Sequence, residues 1–502
     1  MNEPRLIIMK NMSNLVLVSG ATGYIGGRLV PRLLKVGYSI RCMVRDKNRL
    51  QGYRWIDQVE VIEGDALDPP SLIPIFEGTT IAYYLVHGMQ GGKDSVERDL
   101  QAARNFVSAA EAENLRRIIY LGELIDPDSC LSSYLQSRYE TGSILRHGKT
   151  PVTEFRSGMV VGAGSVLFEM VRYLTERQPF LVCPKWFFSR AQPISIRDVL
   201  DYLVLSLNTN ESIGKTLEIG GASQITYADM LLGYAEERGL KRLLIPTPIN
   251  APELSAYWIH MVTPIHWRVI LPLIQGLNSN NLIHENQAQV LFPSIQPLDY
   301  RSSVREALGH ILSDSVETSW NNALVISQGD VKPVELASSE GMLIERRSQK
   351  VNLPAKTVFL SYTGLGGDRG WLYMNWSWKI RGWIDKLFGG VGLRRGRRHP
   401  DEIRVGEALD FWRVEAIEPD RLIRLRAEMK VPGRAWLEFQ SIPQAEGDTL
   451  LIQTAYFAPF GINGLLYWYI LYPIHSFIFS GMIKQVAERG YTIKKLCKEE
   501  LH

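Results

Sequence analysis

The stretch "LVLVSGATGYIGGRLVPRLLKVGY", Leu15 to Tyr38, decides how the first half of this chain folds. Leu15-Val16-Leu17-Val18 reads as a strand that stops at Ser19, and a helical pattern begins by Ile25. Between them the chain places glycines at positions 20, 23 and 26. In such a turn Gly20 permits the tight reversal, Gly23 lets the backbone approach a pyrophosphate, and Gly26 lets the helix pack against the strand. The helix start then offers amide N–H groups and a positive dipole end to the phosphates. Spacing alone is a weak signal, but a strand before it and a helix after it supply the context it needs. The turn residues Gly20, Thr22, Gly23, Tyr24, Ile25 and Gly26 are therefore the expected dinucleotide site.

Working outward, the next strand, Ser39 to Val44, ends in Arg45-Asp46. A strand tip in that position faces the adenine ribose, where an acid accepts from a 2′-hydroxyl and an arginine suits a 2′-phosphate. Arg45 comes first, which favours NADP over NAD; for Asp46 a solvated turn residue is an equal reading. A third strand, "VEVIEGDALD", ends at Gly64-Asp65-Ala66, where a carboxylate could accept from the adenine amino group. "TTIAYYLVHGM" and "RRIIYLGEL" supply a fourth and a fifth strand, with helical stretches between. His87, at the fourth strand's end, either contacts the cofactor or is an ordinary structural histidine. Strand and helix alternate at βαβ spacing, so the sheet should be parallel and doubly wound, an α/β fold.

The 502 residues exceed one ordinary core, so two or three domains are expected. A hydrophobic content of 45% and a charged content of 22% describe a globular chain, and a net charge of +3 gives no argument for a nucleic-acid partner. The four cysteines show no paired spacing and read as reduced thiols of a cytoplasmic protein. His260 and His266 are six residues apart, which fits neither a helical pair nor a usual zinc spacing, so no metal site is expected.

Residues 320 to 335 turn polar and read as a linker. Beyond it the texture changes to "GMLIERRSQKVNL", "EALDFWRVEAIE", "RLIRLRAEMKVPGRAWLEFQSI" and "DTLLIQTAYFAPF", whose period-two alternation predicts a half-buried antiparallel sheet. "WLYMNWSWKIRGWIDKLFGG" reads as an aromatic-rich helix, and the chain closes on one long helix. The loop "GGVGLRRGRRHP" gathers Arg394, Arg395, Arg397, Arg398 and His399; it could receive an anion or an anionic membrane surface, or be a cationic loop paired with neighbouring acids. "LLYWYILYPIHSFIFSGMI", Leu465 to Ile483, carries no charge. Burial in the core is its leading reading, peripheral membrane contact the second and a true span the third.

"SGATGYIG", "MVRD", "EGDALDP", "YYLVHGM", "FRSGMVVGAGS" and "QPISIRDVLDYL" together resemble the atypical, NmrA-like branch of the short-chain dehydrogenase/reductase superfamily over roughly residues 14 to 320. In that superfamily a tyrosine is the general acid, a lysine four residues on lowers its pKa and holds the nicotinamide ribose, and a serine polarises the carbonyl. The matching stretch, "SSYLQSRYETGSIL", implies Tyr134 as the acid and Arg138 in the lysine's place, while a tyrosine that lines the pocket without titrating and an ordinary packing tyrosine on a helix remain its other two readings; Leu121-Gly122-Glu123 stand where the serine is expected. "DFWRVE", "EMKVPGRAWLEF" and "FAPFGINGLLYWYILYPIHSFIF" resemble DUF2867, and the strands around a terminal helix resemble the helix-grip fold of START/polyketide-cyclase (SRPBCC) proteins, over residues 336 to 492. The second resemblance implies an apolar cavity and a small apolar ligand. The first implies an NADPH-dependent oxidoreductase acting on an apolar carbonyl or enone. A non-catalytic NADPH-binding sensor or assembly protein, and more distantly a sugar-nucleotide epimerase, are the alternatives.

Overall fold

The computed structural model describes residues 15–50, 53, 55–86, 93–125, 132–248, 251–263, 265, 267–277, 279–312, 343–393, 397–444, 447–459 and 461–499. The chain divides into two compact units: Met1–Lys47, Tyr53–Ala256 and Arg268–Ser327 form the first, and Asn48–Gly52, Tyr257–Trp267 and Gln328–His502 the second.

The first unit is built on seven strands: β1 (Leu15–Ser19), β2 (Ser39–Val44), β3 (Glu60–Glu63), β4 (Ile81–Tyr84), β5 (Arg117–Glu123), β6 (Val152–Ser157) and β7 (Thr216–Ile219). They run in the order β7-β6-β5-β4-β1-β2-β3, every pair parallel. A parallel sheet takes helices on both faces, so its inner strands are buried; all five residues of β1 and all four of β4 are buried. Helices α1 (Gly26–Lys35), α2 (Pro69–Phe76), α3 (Lys93–Ala112) and α4 (Ser133–His147) follow β1, β3, β4 and β5. Leu17, Phe76, Tyr84, Phe106 and Ile118 lie in one buried cluster, with Phe106 edge-on to Phe76 and to Tyr84 at 4.8 Å. Strand order reverses between β1 and β4, and at such a switch point the crevice beyond the carboxyl ends of the strands is where an open α/β sheet takes its ligand. The expected doubly wound sheet is thus the observed one.

A buried charge on β5 ties this sheet to its neighbours. Arg117, at the start of β5, is fully buried; its guanidinium donates to the Ser206 carbonyl at 2.6 Å, the Leu207 carbonyl at 3.1 Å and Ser212 Oγ at 3.0 Å. Burial lowers its pKa, and these neutral acceptors compensate the charge. Arg117→Met removes the donors and strands the carbonyls. We expect a loss of about 2–4 kcal/mol, read as a lower urea midpoint at unchanged slope.

The second unit carries an antiparallel sheet of β8 (Leu343–Val351), β9 (Ala408–Leu409), β10 (Trp412–Glu418), β11 (Leu422–Ala427), β12 (Gly433–Pro443) and β13 (Thr449–Pro459), in the order β8-β13-β12-β11-β10-β9. The stretch "RLIRLRAEMKVPGRAWLEFQSI" forms a hairpin, not one long strand: β11 and β12 pair antiparallel, Leu422 against Gln440. The residues between them, Glu428 to Pro432, include a proline that donates nothing to a ladder. Helices α5 (Ala355–Thr363), α6 (Asn375–Leu387) and the 39-residue α7 (Gly461–Glu499) belong to this unit. Trp371, Trp378, Phe411, Trp412, Phe439, Phe479 and Met482 share its buried core.

One expectation for this unit needs correction. The segment Leu465 to Ile483 is not buried as a whole. Trp468, Ile478, Phe479, Met482 and Ile483 face the core, whereas Leu466, Tyr469, Ile470, Tyr472, Ile474 and Phe477 are exposed. A helix against one sheet face can bury only one stripe, however apolar its other side is. Among the described residues no helix is long and apolar enough to cross a membrane. In the arginine loop the described arginines turn inward rather than towards solvent: Arg397 donates to the carbonyls of Thr363, Leu365 and His399, and Arg398 is buried beside Glu402 and Glu407, as the reading of pairing with neighbouring acids has it. Arg394 and Arg395, and residues 320 to 335, expected as a linker, lie outside the described residues.

Candidate active site

At the end of β1 the backbone of Gly20 takes φ +79°, and a Cβ there would stand 2.6 Å from the Leu85 carbonyl oxygen just beyond β4. A Cβ on Gly26 would drive into the Gly20 carbonyl and stand 3.0 Å from Ala21 Cα. Both glycines are therefore required by the protein itself. Gly23 differs. Its N–H closes the turn on the Gly20 carbonyl at 2.9 Å, and a Cβ would meet only that oxygen, at 3.1 Å. The remaining space beside Gly23 is what close approach of a phosphate requires. Helix α1 starts at Gly26 with no side-chain cap and no acid in its first turn, so no carboxylate competes for its amide end. The turn fits a dinucleotide.

The other cofactor positions divide. Thr22 is buried in the turn. The Tyr24 ring is buried beneath the Arg28 guanidinium, 4.2 Å from its centroid, which leaves the backbone of Tyr24 and Ile25 for a ligand. Arg45 is half-buried one residue beyond β2. Asp65 sits beyond β3, but its Oδ1 accepts from the Leu67 N–H at 3.0 Å, an Asx turn that already engages part of the carboxylate. The Ala66 carbonyl accepts from Asn105 at 2.8 Å. His87 lies outside the described residues.

Tyr134 stands in the first turn of α4, which Ser132 caps by accepting from the Leu135 N–H at 3.3 Å. Ser132, a nearby serine in the sequence, is thus a helix cap. The Tyr134 hydroxyl donates to Glu123 Oε1 at 3.1 Å, across to the carboxyl end of β5. Burial pushes the Tyr134 phenol up, and the Glu123 charge pushes the same way. Burial also raises the Glu123 carboxyl, against the Arg138 charge and the Tyr134 hydrogen bond, which lower it. Arg138, one helical turn on, is buried; its Nη2 donates to the Leu121 carbonyl at 2.7 Å and its guanidinium lies 5.4 Å from the Tyr120 ring.

Sequence reasoning noted Glu123 only as the residue standing in a serine's place. The signal that could have found it was its position: an acid ending a buried parallel strand, where ligands bind. The sheet is parallel and β4 alone separates β1 from β5, so the glycine turn and the Glu123–Tyr134 pair lie at the same carboxyl edge.

Residues 20–146 match the NAD(P)H-binding family, and residues 340–482 match DUF2867, a family described as a protein of unknown function. The chain is similar to the Photosystem II assembly factor Ycf39 of Trieres chinensis, 22% identical over 41% of this chain and 63% of that protein. It is also similar to Cinnamoyl-CoA reductase 1 of Oryza sativa subsp. japonica, 29% identical over 25% of this chain and 41% of that protein. The chain thus spans less than two thirds of the length of either. Among solved structures, a nucleoside-diphosphate-sugar epimerase from Staphylococcus aureus aligns with TM-score 0.48 and 18% identity, covering 58% of this chain and 99% of that one. By the two family matches the first unit carries an NAD(P)-binding Rossmann domain, with a DUF2867 segment behind it.

Proposed function

We propose that the first unit is an NADPH-dependent oxidoreductase that reduces an apolar carbonyl or enone. The observation that carries the proposal is the Tyr134–Glu123 hydrogen bond of 3.1 Å at the same sheet edge as the glycine turn. The turn from Gly20 to Gly26 binds the pyrophosphate, and Arg45 favours the 2′-phosphate. The bound cofactor supplies a hydride to the carbonyl carbon. The residues of the chain supply the proton: Tyr134 gives its hydroxyl proton to the substrate oxygen, and a protonated Glu123 replaces it from behind. Arg138 is a positioning residue whose permanent charge steadies both groups. Likeness to Cinnamoyl-CoA reductase 1 supports reduction as the reaction class.

A second reading has its own support. Arg138 directs a donor at the Leu121 carbonyl, and the Tyr134 proton points at a carboxylate; neither favours an acid poised to react. With the likeness to an assembly factor, this supports a protein that binds NADPH and senses or scaffolds without consuming it. Loss of nicotinamide absorbance with purified full-length protein across a panel of aliphatic and aromatic carbonyls and enones separates the two. Turnover above the protein-free rate is expected. Stoichiometric NADPH binding with no turnover on any member overturns the enzyme reading in favour of the second.

A further inference from the structure

We propose that α6 and the first half of α7 form a docking face for an anionic lipid surface. Helix α6 is amphipathic the wrong way round for a helix facing water. Its core side carries Trp378, Gly382, Asp385 and Lys386, all buried. On the opposite side Trp376, Ile380, Trp383, Ile384 and Leu387, with Phe388 just beyond, recur at helical spacing, and Trp376, Trp383 and Phe388 are 60%, 59% and 71% exposed. Monomeric proteins rarely leave such a stripe uncovered.

The stripe continues onto α7. Tyr373, immediately before α6, lies against Phe477 with ring centroids 6.0 Å apart, and Gly481 packs on the same tyrosine. Beside that contact α7 exposes Leu466, Tyr469, Ile470, Tyr472, Ile474 and Phe477. Two neighbouring helices of one unit therefore present apolar side chains mixed with Trp and Tyr, the residues that settle at a bilayer's headgroup level.

Charge selects the occupant. At 100° per residue Lys379 and Arg381 fall on the two flanks of the α6 stripe, where long side chains can reach headgroups while their stems lie along lipid. The Arg381 Nη2 donates to the Lys430 carbonyl at 3.1 Å, which brings the exposed Lys430 to the same flank. The only acid of α6, Asp385, is buried, with its oxygens on the amides of Gly392 and Lys430, and α7 has no acid before Glu488. An apolar stripe edged by cations matches an anionic membrane surface. It does not match a second copy of itself, because a two-fold contact would set cations against cations. With no helix fit to cross a membrane among the described residues, the helices would lie in the interface plane.

The test is flotation of the full chain with vesicles of phosphatidylcholine, with and without phosphatidylglycerol. Binding is expected to need phosphatidylglycerol, to weaken with salt, and to fall about tenfold or more in Trp376→Ser/Trp383→Ser, whose altered side chains lie outside the core. In Trp376→Phe/Trp383→Phe binding should persist, while quenching of tryptophan fluorescence by brominated lipid should largely disappear. That variant keeps the test decisive if the serine variant fails to fold. Failure to float with anionic vesicles overturns the proposal. So does a dimer, seen by light scattering, that the serine variant dissociates and vesicles do not compete for. Neither readout involves NADPH, so this proposal and the oxidoreductase reading stand or fall separately.

Discussion

Gly23→Asp is expected to weaken NADPH binding at least a hundredfold while leaving the fold in place. The backbone at Gly23 lies outside the left-handed region, and a Cβ there meets only the Gly20 carbonyl oxygen, at 3.1 Å, a contact that a few tenths of an ångström relieves. A carboxylate beside the uncapped start of α1 even favours the helix slightly, by about 0.3–1 kcal/mol. Against a bound pyrophosphate the same charge is repelled by about 4 kcal/mol at 4 Å and an effective dielectric near 20. Part of that is screened by solvent; about 2.7 kcal/mol remaining gives the hundredfold loss. Gly23→Ala, which adds bulk without charge, should cost less. Calorimetry with NADPH and NADP+ beside a thermal melt checks both halves. An unchanged Kd in the aspartate variant would mean that this turn holds no phosphate.

Gly20→Ala offers the contrasting outcome. Its left-handed φ and the Leu85 carbonyl at 2.6 Å make it a folding lesion first, so lost binding there would say nothing about contact with the nucleotide.

Why the turn was legible, and much else was not, follows from the range of the forces involved. Strand β2 runs from Ser39 to Val44 as expected, because Ile40, Cys42, Met43 and Val44 specify a buried strand by themselves. The strand–turn–helix around Gly20 is equally local. Glu123 was visible only as a mismatch to a serine: its partnership with Tyr134 depends on α4 packing back along β5, a tertiary fact. Arg397 reads in sequence as part of a basic loop, yet its donors are taken by the carbonyls of Thr363, Leu365 and His399, which lie up to 34 residues away. Leu465 to Ile483 is apolar nearly all round, so periodicity could not say which side meets the sheet. The segments Asn48–Gly52 and Tyr257–Trp267 group with the second unit, although nothing in their composition separates them from their neighbours. Lys386, buried in α6, donates to the carbonyls of Met261 and Thr263 at 3.1 and 3.0 Å, two bonds that tie one such segment into that unit.

Tyr134→Phe should lower turnover about a hundred- to ten-thousand-fold, the range for losing a positioned acid, and leave the NADPH Kd unchanged. Glu123 decides the pH dependence. While its carboxyl is ionised, the Tyr134 proton is held in the bond to Oε1 and is turned from the substrate. Protonated, Glu123 becomes the donor in that bond and frees the Tyr134 proton for the substrate oxygen. Burial raises the Glu123 pKa, so the competent form extends to higher pH than an ordinary carboxyl would allow, and turnover should fall as pH rises through that raised value. Stability carries the same sign: a folded-state pKa above the unfolded one favours the fold at low pH, and this contribution fades as Glu123 ionises. Glu123→Gln places a permanent amide donor against the Tyr134 oxygen. It should flatten both the rate profile and this share of the stability profile, whereas Glu123→Ala should lower turnover at every pH. If Glu123→Gln instead retains the wild-type pH profile, the titrating group lies elsewhere and Glu123 only packs against the tyrosine. Should Tyr134→Phe turn over like wild type, the proton comes from water or another side chain, and the pair is structural.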